Sequence, residues 1–128
     1  MYSLNEWLKE IKKSKKLIVV EGKKDELALK KLGIINTIKI SNTPFYKTIE
    51  DISKKAKEVI ILTDLDPEGR KFYSKLKHHL QKRGIKVDRI FREFLFKHTQ
   101  LTNIEGINNY FCRTSYTESK IGFPVSKL

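Results

Sequence analysis

The residues best suited to chemistry are acidic and fall in two short segments, each of which directly follows an apolar stretch. The first begins at Glu21 after the apolar residues 17–20, and the second contains Asp64 and Asp66 after the apolar residues 59–62. Gathered carboxylates repel one another, and a divalent cation removes that repulsion. Oxygen ligands suit Mg²⁺, which takes one or two protein carboxylates and keeps several waters. The spacing predicts a Mg²⁺ site at Glu21, Asp64 and Asp66, and Mn²⁺ is the alternative ion for the same site.

Each acidic segment also has a purely structural interpretation. Asp66 followed by Pro67 is typical of a helix N-cap, and Glu68 in the first turn favours the helix dipole. Glu21 followed by Gly22 is compatible with an ordinary turn from a strand into a helix. These interpretations stay open for each segment by itself. The pair of segments favours the metal site, because both follow buried strands in the order that a parallel sheet requires.

Basic residues are concentrated beside the acidic segments. Between positions 70 and 92 the chain has nine Lys or Arg residues and one acidic residue. Some of these lie in the first turn after Asp66, and two further lysines follow Glu21, so both groups are expected to hold a substrate phosphate. The predicted phosphate-binding set is Gly22, Lys23, Lys24, Gly69, Arg70 and Lys71.

Alternating periodicities predict the elements that position these residues. Short runs of β-branched residues predict buried strands, and apolar residues spaced three and four apart predict helices. The predicted strands cover residues 17–20, 37–40, 59–62 and 86–91. The predicted helices cover residues 3–14, 24–32, 44–56, 67–83 and 101–111. This order predicts an α/β fold, in which right-handed crossovers build a four-stranded parallel sheet flanked by helices.

Length and composition indicate one small folded domain. The 128 residues are 39% hydrophobic and 33% charged, and the apolar residues fall in ordered patterns. The predicted division is an N-terminal helix over 1–14, a domain over 15–112 and an irregular tail over 113–128. Cys112 is the only cysteine, which fits a reducing cytoplasm. No apolar run approaches the roughly 20 residues of a membrane span, so we expect a cytoplasmic protein that does not contact a membrane.

Net charge indicates the class of partner. The sequence has 27 Lys and Arg residues against 15 Asp and Glu residues, which gives a formal net charge of +12. Such a surplus attracts polyanions, and contacts with phosphates dominate the non-specific affinity of proteins for nucleic acid. A surface made basic for solubility is the alternative. The clustering of the basic residues favours nucleic acid as the partner.

Two motifs, at residues 20–25 and 64–69, resemble those of a known family. In this sequence they are Val20-Glu21-Gly22 with Asp25, and Asp64-x-Asp66-x-x-Gly69. They are similar to the motifs of the Toprim domain, which occurs in topoisomerases of types IA and II, bacterial-type primases, OLD-family nucleases and the maturases that trim ribosomal-RNA precursors. The resemblance covers residues 15–92 and implies a three-layer, Rossmann-like Toprim fold. The length is similar to that of small stand-alone Toprim proteins of archaea and bacteria.

The resemblance also implies roles for single residues. Glu21 corresponds to a glutamate that is often proposed as a general acid or base. Asp64 and Asp66 correspond to the metal ligands of the family. Glu68 falls where topoisomerases have a further acidic residue, so the resemblance makes it a candidate ligand. Arg70 departs from the topoisomerase pattern, which has an acidic residue there, and is similar to the primase version.

The motifs and the charge together predict Mg²⁺-dependent cleavage or processing of nucleic acid. RNA is the favoured substrate over DNA, because Glu21-Gly22-Lys23 most closely resembles the motif of the ribosomal-RNA maturases. A non-catalytic, metal-dependent module that binds RNA or DNA is one alternative. A primase-like or topoisomerase-like component acting with partners is another. A phospho-acceptor receiver domain is disfavoured, because one glutamate and not an acidic pair follows the first strand. The expected setting is a ribonucleoprotein or a replication or repair complex, and no oligomeric state is predicted.

Overall fold

The structure, a computed structural model, describes residues 3–108, 110 and 111. Helices and strands alternate along this part of the chain. In order they are α1 (Leu4–Ser14), β1 (Leu17–Val20), α2 (Lys23–Lys31), β2 (Thr37–Lys39), α3 (Phe45–Lys55), β3 (Glu58–Ile61), α4 (Pro67–Lys82), β4 (Lys86–Asp88), α5 (Ile90–His98) and the 3₁₀-helix Ile104–Gly106. Cys112 and the predicted tail over 113–128 lie outside the described residues.

The four strands form one parallel sheet in the order β2-β1-β3-β4. Ile18 of β1 lies opposite Thr37 of β2 on one side and opposite Ile60 of β3 on the other, so β1 and β3 are the central strands. The chain leaves β1 toward β2 and leaves β3 toward β4, which are opposite directions across the sheet. The crevice between the carboxyl ends of β1 and β3 is therefore the topological switch point, where ligands bind in open α/β sheets.

Side chains alternate between the two faces of the sheet and build one hydrophobic core on each face. Ile18 and Val20 of β1 pack with Trp7 in the core that α1, α2 and α5 cover. Leu17 and Val19 pack in the core that α3 and α4 cover. The sheet is thus the middle of three layers. Among the described residues, no helix has the length and apolar composition needed to cross a membrane.

The predicted α/β class and four-stranded parallel sheet are confirmed, but the predicted end of the last strand is wrong. The pattern predicts a strand over 86–91, whereas β4 ends at Asp88 and α5 begins at Ile90. The carboxylate of Asp88 accepts hydrogen bonds from the backbone N–H groups of Ile90, at 2.8 Å, and Phe91, at 3.5 Å. These donors would otherwise be unpaired at the start of a helix. Phe91 then faces the core, where its carbonyl oxygen accepts a 2.9 Å hydrogen bond from the indole N–H of Trp7.

Candidate metal and nucleic-acid site

Glu21 and Asp64 meet at the switch point between β1 and β3. Glu21 directly follows β1, and Asp64 lies shortly after β3. The carboxylate oxygen Oε2 of Glu21 accepts a 2.7 Å hydrogen bond from the backbone N–H of Asp64. The pairing of the strands continues toward this contact, because the N–H of Leu62 donates to the carbonyl oxygen of Val19 at 2.8 Å. The fold therefore brings the two acidic segments together.

Asp64 is held between the sheet and the residues that follow α5. Its side chain is half-buried, and its Oδ1 accepts a 3.0 Å hydrogen bond from the backbone N–H of Ile104, the first residue of the 3₁₀-helix. The next residue, Leu65, donates its backbone N–H to the carbonyl oxygen of Thr102 at 2.9 Å. The segment after α5 thus positions Asp64, a contact that the sequence patterns do not indicate.

Asp66 is exposed and caps the N-terminus of α4. Its Oδ1 accepts a 2.7 Å hydrogen bond from the backbone N–H of Gly69, and Pro67 is the first helical residue, so the N-cap interpretation is confirmed. Gly69 is buried against the backbone of Asp64, where a Cβ atom would lie 2.6 Å from the carbonyl carbon. Glycine lets the first turn of α4 pack directly on the acidic segment. Gly69, predicted to bind phosphate, has a packing role here.

The acidic side chains affect one another's protonation. Burial raises the pKa of Glu21 above its usual range. The hydrogen bond from the N–H of Asp64 opposes this effect, whereas the charges of Asp64, Asp66 and Asp25 add to it. Burial likewise raises the pKa of Asp25, which accepts a 3.1 Å hydrogen bond from the backbone N–H of Gly22. Mutual repulsion of this kind favours binding of a cation.

The chemistry of Glu21, Asp64 and Asp66, which we call the acidic cluster, fits a hard cation such as Mg²⁺. A backbone N–H holds one carboxylate oxygen of each residue. The second carboxylate oxygen of each of these residues forms no hydrogen bond or ion pair with any other residue that the structure describes. Among all the residues that the structure describes, no group of three or more His, Cys, Asp or Glu side chains is arranged to hold a metal ion by itself. Mg²⁺ needs one or two carboxylates, because waters and substrate phosphates supply its other ligands.

An open cavity of about 630 Å³ borders the acidic cluster. Glu21 and Asp64 line it, together with Gly22, Lys23 and Lys24 at the start of α2. Both lysines are exposed, so their ammonium groups are accessible to a phosphate beside the cluster. The other predicted site residues belong to the start of α4 and lie outside the lining of this cavity: Asp66, Glu68, Gly69, Arg70 and Lys71.

Arg92 is a buried residue of this region that neither sequence motif includes. Its guanidinium group donates to the carbonyl oxygens of Thr63, at 2.5 Å, and Asp64, at 3.2 Å. The same group lies 4.5 Å from the ring centroids of Tyr73 and Phe96, and such cation–π contacts stabilise a buried charge. Burial lowers the pKa of Arg92 to about 10, so it remains charged at neutral pH. Arg92 thus fixes the backbone at Asp64 and places a positive charge near the acidic cluster.

Comparisons with known proteins agree with this architecture. The Toprim domain pattern matches residues 16–95 of the chain. A UPF0292 protein of Methanocaldococcus jannaschii is 38% identical over 104 residues, which are 78% of this chain and 81% of that protein. A UPF0292 protein of Pyrococcus abyssi is 39% identical over 101 residues, which are 77% of this chain and 76% of that protein.

Solved structures have the same fold. A structure described as a putative protein from Aquifex aeolicus has a TM-score of 0.77 and 38% identity, over 82% of this chain and 98% of that chain. The zinc-binding and RNA polymerase domains of the Aquifex aeolicus primase have a TM-score of 0.54 and 26% identity, over 84% of this chain and 26% of the primase chain. The chain therefore belongs to the Toprim domain family, which is associated with metal-dependent enzymes of nucleic acids such as primase, and to the UPF0292 proteins.

Proposed function

We propose that this chain cleaves RNA in a Mg²⁺-dependent reaction at the acidic cluster. The observation that carries the proposal is the 2.7 Å hydrogen bond between the Glu21 carboxylate and the N–H of Asp64, because it joins the ends of the two central strands. Membership of the Toprim family supports metal-dependent chemistry on nucleic acid. The formal net charge of +12 supports a polyanionic substrate.

The acidic residues have separate tasks in this proposal. Glu21, Asp64 and Asp66 hold the cation, with Glu68 as a further candidate ligand. A bound Mg²⁺ supplies positive charge that polarises a phosphate oxygen. Glu21 is also the general base: it would accept a proton from the water that attacks the phosphorus, while the bond from phosphorus to the leaving ribose oxygen breaks and that oxygen takes up a proton from solvent.

The basic residues balance the charge of the reacting phosphate. Lys23 and Lys24 are exposed at the start of α2 and line the same cavity as Glu21. Arg70 and its neighbour Lys71 are exposed in the first turns of α4, beside the cap that Asp66 provides. Lysine and arginine stabilise the charge that develops on a phosphoryl group in the transition state. We assign these residues to phosphate binding on that basis.

RNA is proposed over DNA because Glu21-Gly22-Lys23 resembles the motif of the ribosomal-RNA maturases. This step is an analogy with that family. In this scheme the protein works in the cytoplasm on a structured RNA or on a ribonucleoprotein.

A nuclease assay on structured RNA tests the proposal. The wild-type chain is expected to cleave the RNA in Mg²⁺ or Mn²⁺ and to stop when EDTA removes the ion. Asp64→Asn keeps the shape of the side chain and removes its charge, so we expect about a hundredfold loss of rate. Asp51→Asn is the control, because it makes the same chemical change on α3, where Asp51 pairs with Lys47 at 3.7 Å. Equal rates for the wild type and Asp64→Asn would show that the catalytic proposal is wrong.

A non-catalytic nucleic-acid-binding module is the second candidate, and one observation favours it. Exposed Lys23 and Lys24 line the cavity beside the acidic cluster, and with a bound metal ion they can hold RNA phosphates whether or not the RNA is cleaved. Filter binding separates the two roles. An affinity that falls steeply with salt, with the RNA recovered intact in Mg²⁺, supports the binding module. A primase-like activity requires further domains or partners, since the chain covers 26% of the primase chain.

A further inference from the structure

The cavity beside the acidic cluster extends beyond the residues that the proposed chemistry uses. Its volume of about 630 Å³ is within the range of pockets that bind small molecules. The rest of its lining includes the loop between β2 and α3 and two phenylalanines: Ser41, Asn42, Thr43, Phe45 and Phe72. Both phenylalanines are only partly buried, so part of each residue remains accessible. Aromatic rings beside phosphate-binding lysines suit the base of a nucleotide, because every base has a face that stacks.

Phe45 connects this cavity with α4. The ammonium nitrogen Nζ of Lys75 lies 4.2 Å from the centroid of the Phe45 ring. The ring of His79 contacts Phe45 edge-on, with 5.1 Å between the centroids. The cation–π contact holds the Lys75 ammonium group against Phe45, which lines the cavity. A base packed on Phe45 and the phosphate attached to it would therefore meet neighbouring groups of the protein.

Positive side chains continue along α4 from this point. Residues spaced three and four apart lie on the same side of a helix. We call the following residues the basic face of α4: Lys71, Lys75, His78, His79 and Lys82. Its lysines are exposed, and none forms an ion pair with another residue that the structure describes. The face is about 16 Å long at the rise of an α-helix, which is long enough for more than one phosphate.

We propose that a single-stranded nucleic acid binds along this line, with one base in the cavity against Phe45 and Phe72 and its phosphates on the basic face of α4. The inference rests on the proposed function, because the acidic cluster at the end of the line is where that strand reacts. A base in a duplex is stacked and paired, and its entry into a cavity requires unpairing. A single strand presents its bases without that cost and is the form that fits.

Fluorescence anisotropy with a short labelled single-stranded RNA tests the binding line. The wild type is expected to bind the single strand more tightly than a duplex of the same sequence. Phe45→Ala is expected to weaken binding of the single strand about tenfold. Tyr46→Ala is the matched control, because Tyr46 is the neighbouring aromatic residue, is 71% exposed and does not line the cavity. Its effect is expected to stay below about twofold.

A second matched pair tests the phosphate contact. Lys75→Gln is expected to reduce the slope of log affinity against log salt by about 0.7, the value for one phosphate contact with a single strand. Lys77→Gln makes the same charge change on the same helix. The Lys77 ammonium group lies 5.9 Å from the Tyr73 ring, away from Phe45, so the slope is expected to remain unchanged.

The measurements are made in EDTA, which separates them from catalysis. If Phe45→Ala and Lys75→Gln do not change RNA binding as expected, the proposed path of the strand is wrong, and metal-dependent cleavage is unaffected. If they change binding as expected but the wild type does not cleave RNA in Mg²⁺, only the proposed reaction is wrong. Phe45→Leu, which keeps apolar volume and removes the ring, replaces Phe45→Ala if circular dichroism shows that the alanine variant does not fold. Equal effects within either matched pair, or tighter binding of the duplex, would overturn the proposal. A single-stranded DNA of the same sequence shows whether the line distinguishes RNA from DNA.

Discussion

The carboxylate of Glu21 and the backbone nitrogen of Asp64 lie 2.7 Å apart, although 43 positions separate the two residues in the chain. The contact exists because β1 and β3 are adjacent and parallel, so their carboxyl ends reach the same edge of the sheet. It orients one oxygen of Glu21 toward the backbone at Asp64, whose side-chain Oδ1 accepts a hydrogen bond from the N–H of Ile104. The proposed cation site depends on this arrangement.

Two glycines of the site are expected to respond differently to an added methyl group. At Gly69 a Cβ atom would lie 2.6 Å from the carbonyl carbon of Asp64, so Gly69→Ala has to displace the backbone. At Gly22 the nearest atom is Oγ of Ser41 at 3.9 Å, which is an ordinary contact. We expect Gly69→Ala to lower the free energy of unfolding by about 3 kcal/mol and Gly22→Ala by about 0.5 kcal/mol. Urea denaturation measures both, and equal losses would contradict the close packing of α4 on Asp64.

Removal of the buried guanidinium group is expected to destabilise the fold. Arg92→Met leaves the carbonyl oxygens of Thr63 and Asp64 without these donors, so we expect a loss of about 3 kcal/mol in the free energy of unfolding. Arg89→Met is the control, because Arg89 is exposed at the start of the same helix. Its loss is expected to be about 0.5 kcal/mol. Chemical denaturation that gives the same midpoint and slope for both variants would show that the contacts of Arg92 contribute nothing specific.

An ion-paired lysine gives stability that depends on pH. Lys16 pairs with Asp88 at 2.7 Å and with Glu58 at 3.0 Å. Burial lowers the pKa of Lys16, but the hydrogen bonds and charges of the two carboxylates outweigh burial, and the pKa is raised above its usual 10.5. For a lysine with a raised pKa, the stabilisation is complete below the unfolded value and is lost as pH rises through the folded value.

Lys16→Met is therefore expected to cost about 1 kcal/mol at neutral pH, and its difference from the wild type is expected to shrink once the pH passes 10.5. Urea denaturation of both proteins over this alkaline range measures the difference. The comparison with the variant cancels the titration of the other lysines. A difference that stays constant with pH would contradict ion pairing as its source.

The sheet and the location of the acidic cluster were predictable from the sequence because each follows from a strong local signal. Residues 17–20 and 59–62 are apolar without interruption, as strands buried on both faces must be. The rule that parallel strands end at one edge then brings Glu21 near Asp64. The N-cap interpretation of Asp66 also followed from residue types alone, since Asp followed by Pro is a local signal.

The remaining parts of the site depend on contacts between distant segments, which leave no periodic pattern. The sequence does not indicate the start of α5, because Val87 and Phe91 fit the pattern of one continuous strand. In the structure the carboxylate of Asp88 accepts hydrogen bonds from the first N–H groups of the helix, and the strand ends there. In the sequence, Arg92 is one of nine Lys and Arg residues between positions 70 and 92, although its neighbours on α5 include buried Phe91 and Phe94. An arginine within an apolar helix face is the signal that was available.

The most direct test of the cation site is anomalous diffraction from a crystal soaked in Mn²⁺, with Asp64→Asn crystals soaked in parallel. We predict an anomalous peak between the Glu21 and Asp64 carboxylates in the wild type, within coordination distance of an oxygen of each, and its loss in the variant. No peak at the acidic cluster, or an equal peak in Asp64→Asn, would contradict the divalent-cation site.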